Sequence, residues 1–343
     1  MRKTLQVLKT HVINYSCFIF KKTIYFIVVL IAYVIMFISW RQYAWVKNKY
    51  FFTHQRLNEE YLDKNNKVWF EQWLVGVTDG DGTFSIVCQN NQWNLAFKIT
   101  QSRYNLRLLY YIKKELGVGS VTKDNTKGQF FIRDRNKINN ILFPIFDKYP
   151  LLTSKMFNYN KFKEAYFILE AINLTKEEKD KKLFELKSKM LPDSYISYGW
   201  NKANLALKSV NDVNNVITKP WLVGFIEAEG SFFLVSKDSN RIVHGFGLTS
   251  KLDGIVLQAI GLILHIPTKV RYKSNYNHYI LDTTNSRAIE NIQDYFKNTL
   301  KGMKSVEYRI WSRSYVKYKG NFLKLSNIRN IIKKLRIKLQ DVI

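Results

Sequence analysis

Two stretches of the chain carry acids in matched places. Trp73–Phe84 reads WLVGVTDGDGTF and Trp221–Phe232 reads WLVGFIEAEGSF. Each sets two carboxylates, Asp79 and Asp81 or Glu227 and Glu229, at the end of an apolar run that reads as a helix. A helix C-terminus is the negative end of the macrodipole, so an acid there costs up to about 1 kcal/mol. The same cost taken twice at the same place points to a bound cation that offsets it. Positions i and i+2 of a helix project about 200° apart, so only one acid of each pair can face a shared point. The spacing selects Asp81 and Glu229, beside Gly82 and Gly230, as metal-holding candidates and leaves Asp79 and Glu227 structural. Oxygen donors of this kind suit a hard cation. The five histidines lack zinc-site spacing, and a calcium loop is excluded because placing Gly82 sixth puts Val77 first and Cys88 twelfth.

The acids belong to a duplicated unit. Phe97–Gln101 ends 20 residues after Asp81, and Phe246–Ser250 ends 21 after Glu229. Lys155 follows Asp81 by 74 residues, and Lys304 follows Glu229 by 75. Gly76 and Gly80, matched by Gly224 and Ala228, form a stripe along which two helix backbones can approach closely, as membrane helices do. Packed on that stripe, the two helices would deliver one acid each to a common centre.

The elements of each unit follow from periodicity. Trp69–Gly82 reads as a helix stopped by its glycine, followed by a strand alternating Phe84, Ile86 and Cys88 against Ser85 and Val87. A turn at Gln89–Gln92 leads to a second strand, Trp93–Thr100. Asn105–Leu116 reads as a helix closed by Gly117, a hairpin turns around Asp124–Gly128, and two further helices are split by Pro150. The order is αββαββα, repeated from Pro220. The fold class is α+β, with two pseudo-symmetric half-domains. Residues 1–66 form an N-terminal segment, 67–172 the first half, 173–216 a tether, 217–318 the second half and 319–343 a basic C-terminal helix.

Lys and Arg number 54 against 27 acids, a formal net charge of +27 with a pI near 9.8. So large an excess points to a polyanionic partner, nucleic acid ahead of a membrane face. Two cysteines exclude a disulfide framework. Abundant Lys, Asn, Ile, Phe and Tyr fit an AT-rich genome such as a fungal mitochondrial one, so a mitochondrial location is expected. Thr23–Trp40 is uncharged and apolar, at the lower limit of a membrane span, and membrane association through residues 23–40 is expected.

LVGVTDGDG (Leu74–Gly82) and LVGFIEAEG (Leu222–Gly230) resemble the paired motifs of single-chain LAGLIDADG homing endonucleases of the intron-encoded organellar type. The likeness covers roughly Val68–Tyr318. It implies antiparallel sheets forming a saddle on double-stranded DNA, a monomer that cuts both strands, and Mg²⁺, with Mn²⁺ as a substitute, at Asp81 and Glu229. It further implies that Lys155 and Lys304 stabilise developing charge and that Gln101 assists, whereas Ser250 stands at Gln101's place in the second unit. Base reading is expected from Ser85, Gln89, Asn91, Lys98 and Gln129 in the first half. In the second half it is expected from Lys237, Asn240, Arg241, Asn275 and Asn277, with Phe233 and Val235 facing the groove.

Two other functions fit parts of the chain. Family members also act as maturases on their host intron RNA, which the basic charge would serve equally. A membrane-anchored protein contacting lipid headgroups would account for residues 23–40 but not for the duplicated acids. The N-terminal segment is also explained as the product of an upstream membrane-protein reading frame translated in continuity.

Overall fold

The computed structural model describes residues 65–203 and 205–341. The apolar stretch 23–40 lies outside the described residues, among which no helix is long and apolar enough to cross a membrane. Residues 68–343 form one compact unit.

Helix α1 (65–81) leads into this unit and runs directly into strand β1 (Gly82–Gln89). Strand β2 (Gln92–Ser102), helix α2 (Leu106–Leu116) and strands β3 (Ser120–Lys123) and β4 (Lys127–Ile132) follow. Helix α3 (Arg135–Lys137), one wide turn at Ile138–Leu142, and helix α4 (Phe143–Lys148) follow one another without a break, and α5 (Lys155–Glu170) completes the half. The sheet is antiparallel in the order β1-β2-β4-β3. The second half repeats this: α7 (Lys219–Glu229), β5 (Ser231–Asp238), β6 (Arg241–Ser250), α8 (Gly254–Ile263), β7 (Arg271–Lys273), β8 (His278–Thr283), α9 (Ser286–Phe296) and α10 (Lys304–Tyr318). Its sheet runs β5-β6-β8-β7. Helix α6 (Lys176–Ser188) lies between the halves, and α11 (Phe322–Asp341) ends the described chain.

The strand alternation read from the sequence sets the layers. Phe84 pairs with Phe97, and Ile86 with Leu95, on the face covered by helices. Phe84 meets Phe97, Phe146, Tyr159 and Phe162 at ring-centroid distances of 5.4–5.5 Å. Phe232 meets Phe246, Phe296, Tyr308 and Trp311 at 5.2–6.3 Å. Each such ring, buried fully, stabilises the fold by about 1.5–3 kcal/mol. The opposite face of the first sheet carries polar residues such as Thr83, Ser85, Lys98 and Gln129, whereas that of the second carries Phe233 and Val235.

The helix stops at Gly82 as read from the sequence, though not through a left-handed cap: Gly82 is the first residue of β1, paired with Ile99, and Gly230 is likewise extended (φ −71°, ψ 145°). Glycine is needed there because a Cβ at Gly82 would lie 2.4 Å from Thr78 Cγ2 and 2.7 Å from its carbonyl, in the last turn of α1. Gly117, by contrast, is a left-handed cap (φ 73°) whose N–H reaches the Lys113 carbonyl. Nor is the segment 173–216 a bare tether. Helix α6 starts from a Thr175–Glu178 capping box, buries Leu183 and Leu186, and its Asp180 accepts the Trp93 indole N–H at 2.7 Å, while Trp200 donates to the Leu152 carbonyl at 2.8 Å.

His244 is buried in the second core between Trp311 and Tyr315, with Nε2 2.8 Å from Ser314 Oγ. Burial, helped by the charge of Lys319, pushes it down to about 4. The folded state therefore refuses a proton that the unfolded chain accepts below about 6.5, so this contribution to stability is intact above pH 6.5 and lost as pH falls towards 4. We expect a loss of about 3 kcal/mol over that window. In His244→Phe, urea midpoints should fall less between pH 6.5 and 4; parallel curves would contradict this.

Candidate active site

The two halves meet through α1 and α7. A Cβ at Gly76 would stand 2.0 Å from the Trp221 carbonyl oxygen, and a Cβ at Gly224 would stand 2.0 Å from that of Trp73. A Cβ at Gly80 would stand 2.2 Å from the Ala228 Cβ. The helices thus touch backbone to backbone along the predicted stripe, which brings the C-terminal ends of both together. Asp79 and Glu227 tie those ends into each half. Asp79, buried, accepts hydrogen bonds from Leu152 N (2.9 Å), Thr153 N (3.0 Å), Thr153 Oγ1 (2.6 Å) and, across the interface, Trp221 Nε1 (2.8 Å). Glu227, also buried, accepts from the Lys301 and Gly302 amides, the latter at 3.0 Å. These two acids are structural ties, as their spacing implied. The related pair does not form: Trp73 Nε1 and Glu227 Oε2 are buried without a hydrogen-bond partner.

Asp81 and Glu229 end the two helices and share one electrostatic environment. Burial raises Asp81 above the usual carboxylate range, against the pull of Lys155, the Gln101 amide and Lys304. Burial, and after it the charge of Asp81, pushes Glu229 up to about 7. Gln101 Nε2 donates to Asp81 Oδ2. Lys155 Nζ donates to the Gly80 carbonyl, and Lys304 Nζ to the carbonyls of Gly230 and, at 3.4 Å, Ala228. Burial lowers Lys155, while Asp81, Asp79 and Glu229 hold its charge in place. The five predicted residues Asp81, Glu229, Lys155, Lys304 and Gln101 are therefore gathered at one centre.

The donor set fits a divalent cation. Two carboxylates that penalise each other's charge are what a cation relieves. Among the described residues no three or more His, Cys, Asp or Glu are grouped so as to hold a metal ion by themselves, so a cation at Asp81 and Glu229 would need further oxygens from water and phosphate, as Mg²⁺ prefers. The glycines fit less well: Gly82 is engaged in the β1–β2 ladder, and the Gly230 carbonyl is held by Lys304.

The exposed sheet faces open from this centre. In the first half Thr83 pairs with Lys98, Ser85 with Ala96, and Thr100 with Gln129, all on the face away from the core. Ser85, Gln89, Lys98 and Gln129 thus share that face, and Asn91 sits in the hairpin turn with φ 53°. Thr83, Asn94 and Thr100 lie on the same face and were missed, although the alternation could have found them. In the second half Lys237, Asn240 and Arg241 cluster at the β5–β6 tip, and Asn275 and Asn277 in the β7–β8 turn, off the face itself. The face near Glu229 is instead a cavity lined by Phe233, Thr249, Arg271, Lys273, Ile280 and Asp282, among others. Arg271 and Lys273 were missed because β7 spans only three residues. Phe233 lies flat over Gly245, where a Cβ would meet its ring at 2.3 Å.

A profile described as LAGLIDADG endonuclease matches residues 74–166 and 222–315. The chain is 41% identical over 285 residues to a probable intron-encoded endonuclease, Cox1-I1b, of Schizosaccharomyces pombe, an alignment covering 80% of this chain and 71% of that protein. It is 31% identical over 205 residues to an uncharacterized mitochondrial protein, RF1, of Saccharomyces cerevisiae, spanning 56% of this chain but 38% of that protein. Among solved structures, the meganuclease I-SmaMI bound to uncleaveable DNA superposes with a TM-score of 0.61 at 22% identity, covering 78% of this chain and 97% of that one.

Proposed function

Because the chain belongs to the LAGLIDADG endonuclease family, we propose that it is a site-specific endonuclease of the intron-homing type, cutting both strands of duplex DNA with a divalent metal. The observation that carries this reading is the convergence of one acid from each half, Asp81 and Glu229, between Lys155 and Lys304. One chain supplies both acids, so a monomer suffices. The basic charge serves phosphate contacts, and the likeness to a mitochondrial protein supports a mitochondrial location. The pairing of acids favours cleavage over maturase action, to which such a centre contributes nothing.

Asp81 and Glu229 would hold Mg²⁺, which when bound polarises phosphate and lowers the pKa of water. The residues of the chain do the rest. Lys155 and Lys304 stand by the acids, where they can neutralise charge developing on the phosphoryl oxygens. Gln101 fixes the orientation of Asp81. The exposed faces of the two sheets hold the duplex in register, positioned mainly by phosphate contacts.

The reading is tested by incubating the full chain and Mg²⁺ with a plasmid carrying the sequence into which its own gene's intron is inserted. Linearisation at one position is expected; an intact plasmid, or random nicking, would overturn it. Lys155→Met and Lys304→Met should each slow single-turnover cutting by about 10²-fold while leaving DNA affinity nearly unchanged, since their task lies in the transition state. Parental rates in both variants would remove the lysines from the mechanism.

A further inference from the structure

Helices α5 and α10 each begin on the lysine of the active site, and neither is capped by its own side chain. The residues just before them, Ser154 and Met303, have helical backbone and make no side-chain cap. Such helices leave amide N–H groups without an intrahelical partner, and a lysine in the first turn adds charge of the unfavourable sign. Thr153 Oγ1 accepts from Lys155 N at 3.3 Å within the first half, and beyond that each helix start is capped from the opposite half. Asn105 Oδ1, in the first half, accepts from Met303 N at 2.8 Å. Asp253, in the second half, accepts from Ser154 N at 2.6 Å and from Ser154 Oγ at 3.1 Å. Asn105 follows Asp81 by 24 residues, and Asp253 follows Glu229 by 24, so the two are pseudo-symmetric counterparts.

Resting on the endonuclease reading above, we propose that Asn105 and Asp253 are positioning residues that cap the lysine-bearing helices in trans, so that each lysine is set in place by the other half. This arrangement couples the two halves. A half that loses its grip on its partner releases a lysine on the far side, so neither is correctly built until both are docked.

The two caps differ chemically. Asn105 Nδ2 also donates to Gln101 Oε1 at 3.0 Å, and Gln101 donates to Asp81, so one continuous chain runs from the start of α10 to the first acid. On the other side Ser250, at Gln101's place, accepts from the Asp253 amide at 3.3 Å and its side chain also hydrogen-bonds the Asp253 carboxylate. The charge is distributed the other way. Helix α5 has no acid in its first turn and receives the Asp253 carboxylate from outside; α10 has Glu307 in its own first turn and receives a neutral amide. Asn105 therefore positions both Lys304 and Gln101, whereas Asp253 positions Lys155 alone.

The test uses the full chain, with cleavage of each DNA strand followed under single-turnover conditions and amide hydrogen exchange read at Met303 and Ser154. Asn105→Ala should speed exchange at Met303, Asp253→Ala should do so at Ser154, and each should slow cutting by about 10-fold, the usual scale for loss of a helix cap. DNA affinity in Ca²⁺ should stay at the parental level. Asp253→Asn keeps an acceptor for Ser154 N and should restore most of the rate. Asn105→Asp keeps the acceptor for Met303 but loses the donor to Gln101, so Met303 should stay protected while cutting still slows. These two variants also carry the test should an alanine variant fail to fold. The proposal is overturned if the alanine variants leave exchange at Met303 and Ser154 unchanged, or if exchange rises and both strands are still cut at the parental rate. A parent that cuts nothing would refute the endonuclease reading instead, while the exchange data would still report on the caps.

Discussion

Gly76→Ala and Gly224→Ala are expected to destabilise the protein by about 3 kcal/mol each and to suppress DNA cleavage with it. An added Cβ meets a backbone carbonyl at 2.0 Å in both cases, and a backbone atom in a packed helix cannot rotate aside. The helices α1 and α7 must then separate by about an ångström, an overpacking cost larger than the roughly 1 kcal/mol that alanine gains in helix propensity. Separation also pulls Asp81 from Glu229, so activity should fall further than stability alone requires. Gly261→Ala is the control. It lies within helix α8, and its Cβ would meet Leu281 at 3.6–3.7 Å, ordinary contact. That change should raise stability by up to about 1 kcal/mol. Thermal melting of the three variants checks the account: the first two should melt roughly 10 °C lower and the third slightly higher. Equal small shifts in all three would mean that the helix interface is looser than described.

The parts of the site legible in the sequence were those that the duplication writes twice. Asp81, Glu229 and the glycine stripe sit at matched places, and the meeting of the two acids follows from packing the helices on that stripe, whereas the place of Lys155 and Lys304 beside them rests on the family resemblance at matched offsets. The first sheet's faces were legible because Phe84, Ile86 and Cys88 alternate with Thr83, Ser85, Val87 and Gln89 over a full strand. Contacts between the halves were not. Trp221 reaching Asp79, Asn105 reaching Met303 and Asp253 reaching Ser154 join residues 99–198 positions apart, and no local pattern marks them. The helix stop at Gly82 was legible, but its cause was not: close approach to Thr78, rather than a left-handed cap, excludes a side chain there. The connector 173–216 was misread because its charge pattern conceals Leu183, Leu186 and Trp200, which turn inward. In the second half, the three-residue strand β7 was too short to show alternation, so Arg271 and Lys273 went unnoticed while turn asparagines were chosen instead.

The central claim is that one acid from each half serves a single metal-dependent cutting centre. Asp81→Asn and Glu229→Gln preserve size and the capacity to accept the Gln101 hydrogen bond, and each removes one charge from a buried pair that resists ionisation. Folding should therefore hold or improve by up to about 1 kcal/mol. Loss of either charge should lower double-strand cleavage by about 10³-fold or more, the scale of removing a principal electrostatic stabiliser of the transition state. The most direct measurement is cleavage of DNA bearing the chain's own insertion sequence by parent and variants in Mg²⁺, beside affinity for the same DNA in Ca²⁺. The account predicts cutting by the parent alone, with closely similar affinities for all three. Continued double-strand cutting by either variant would contradict it.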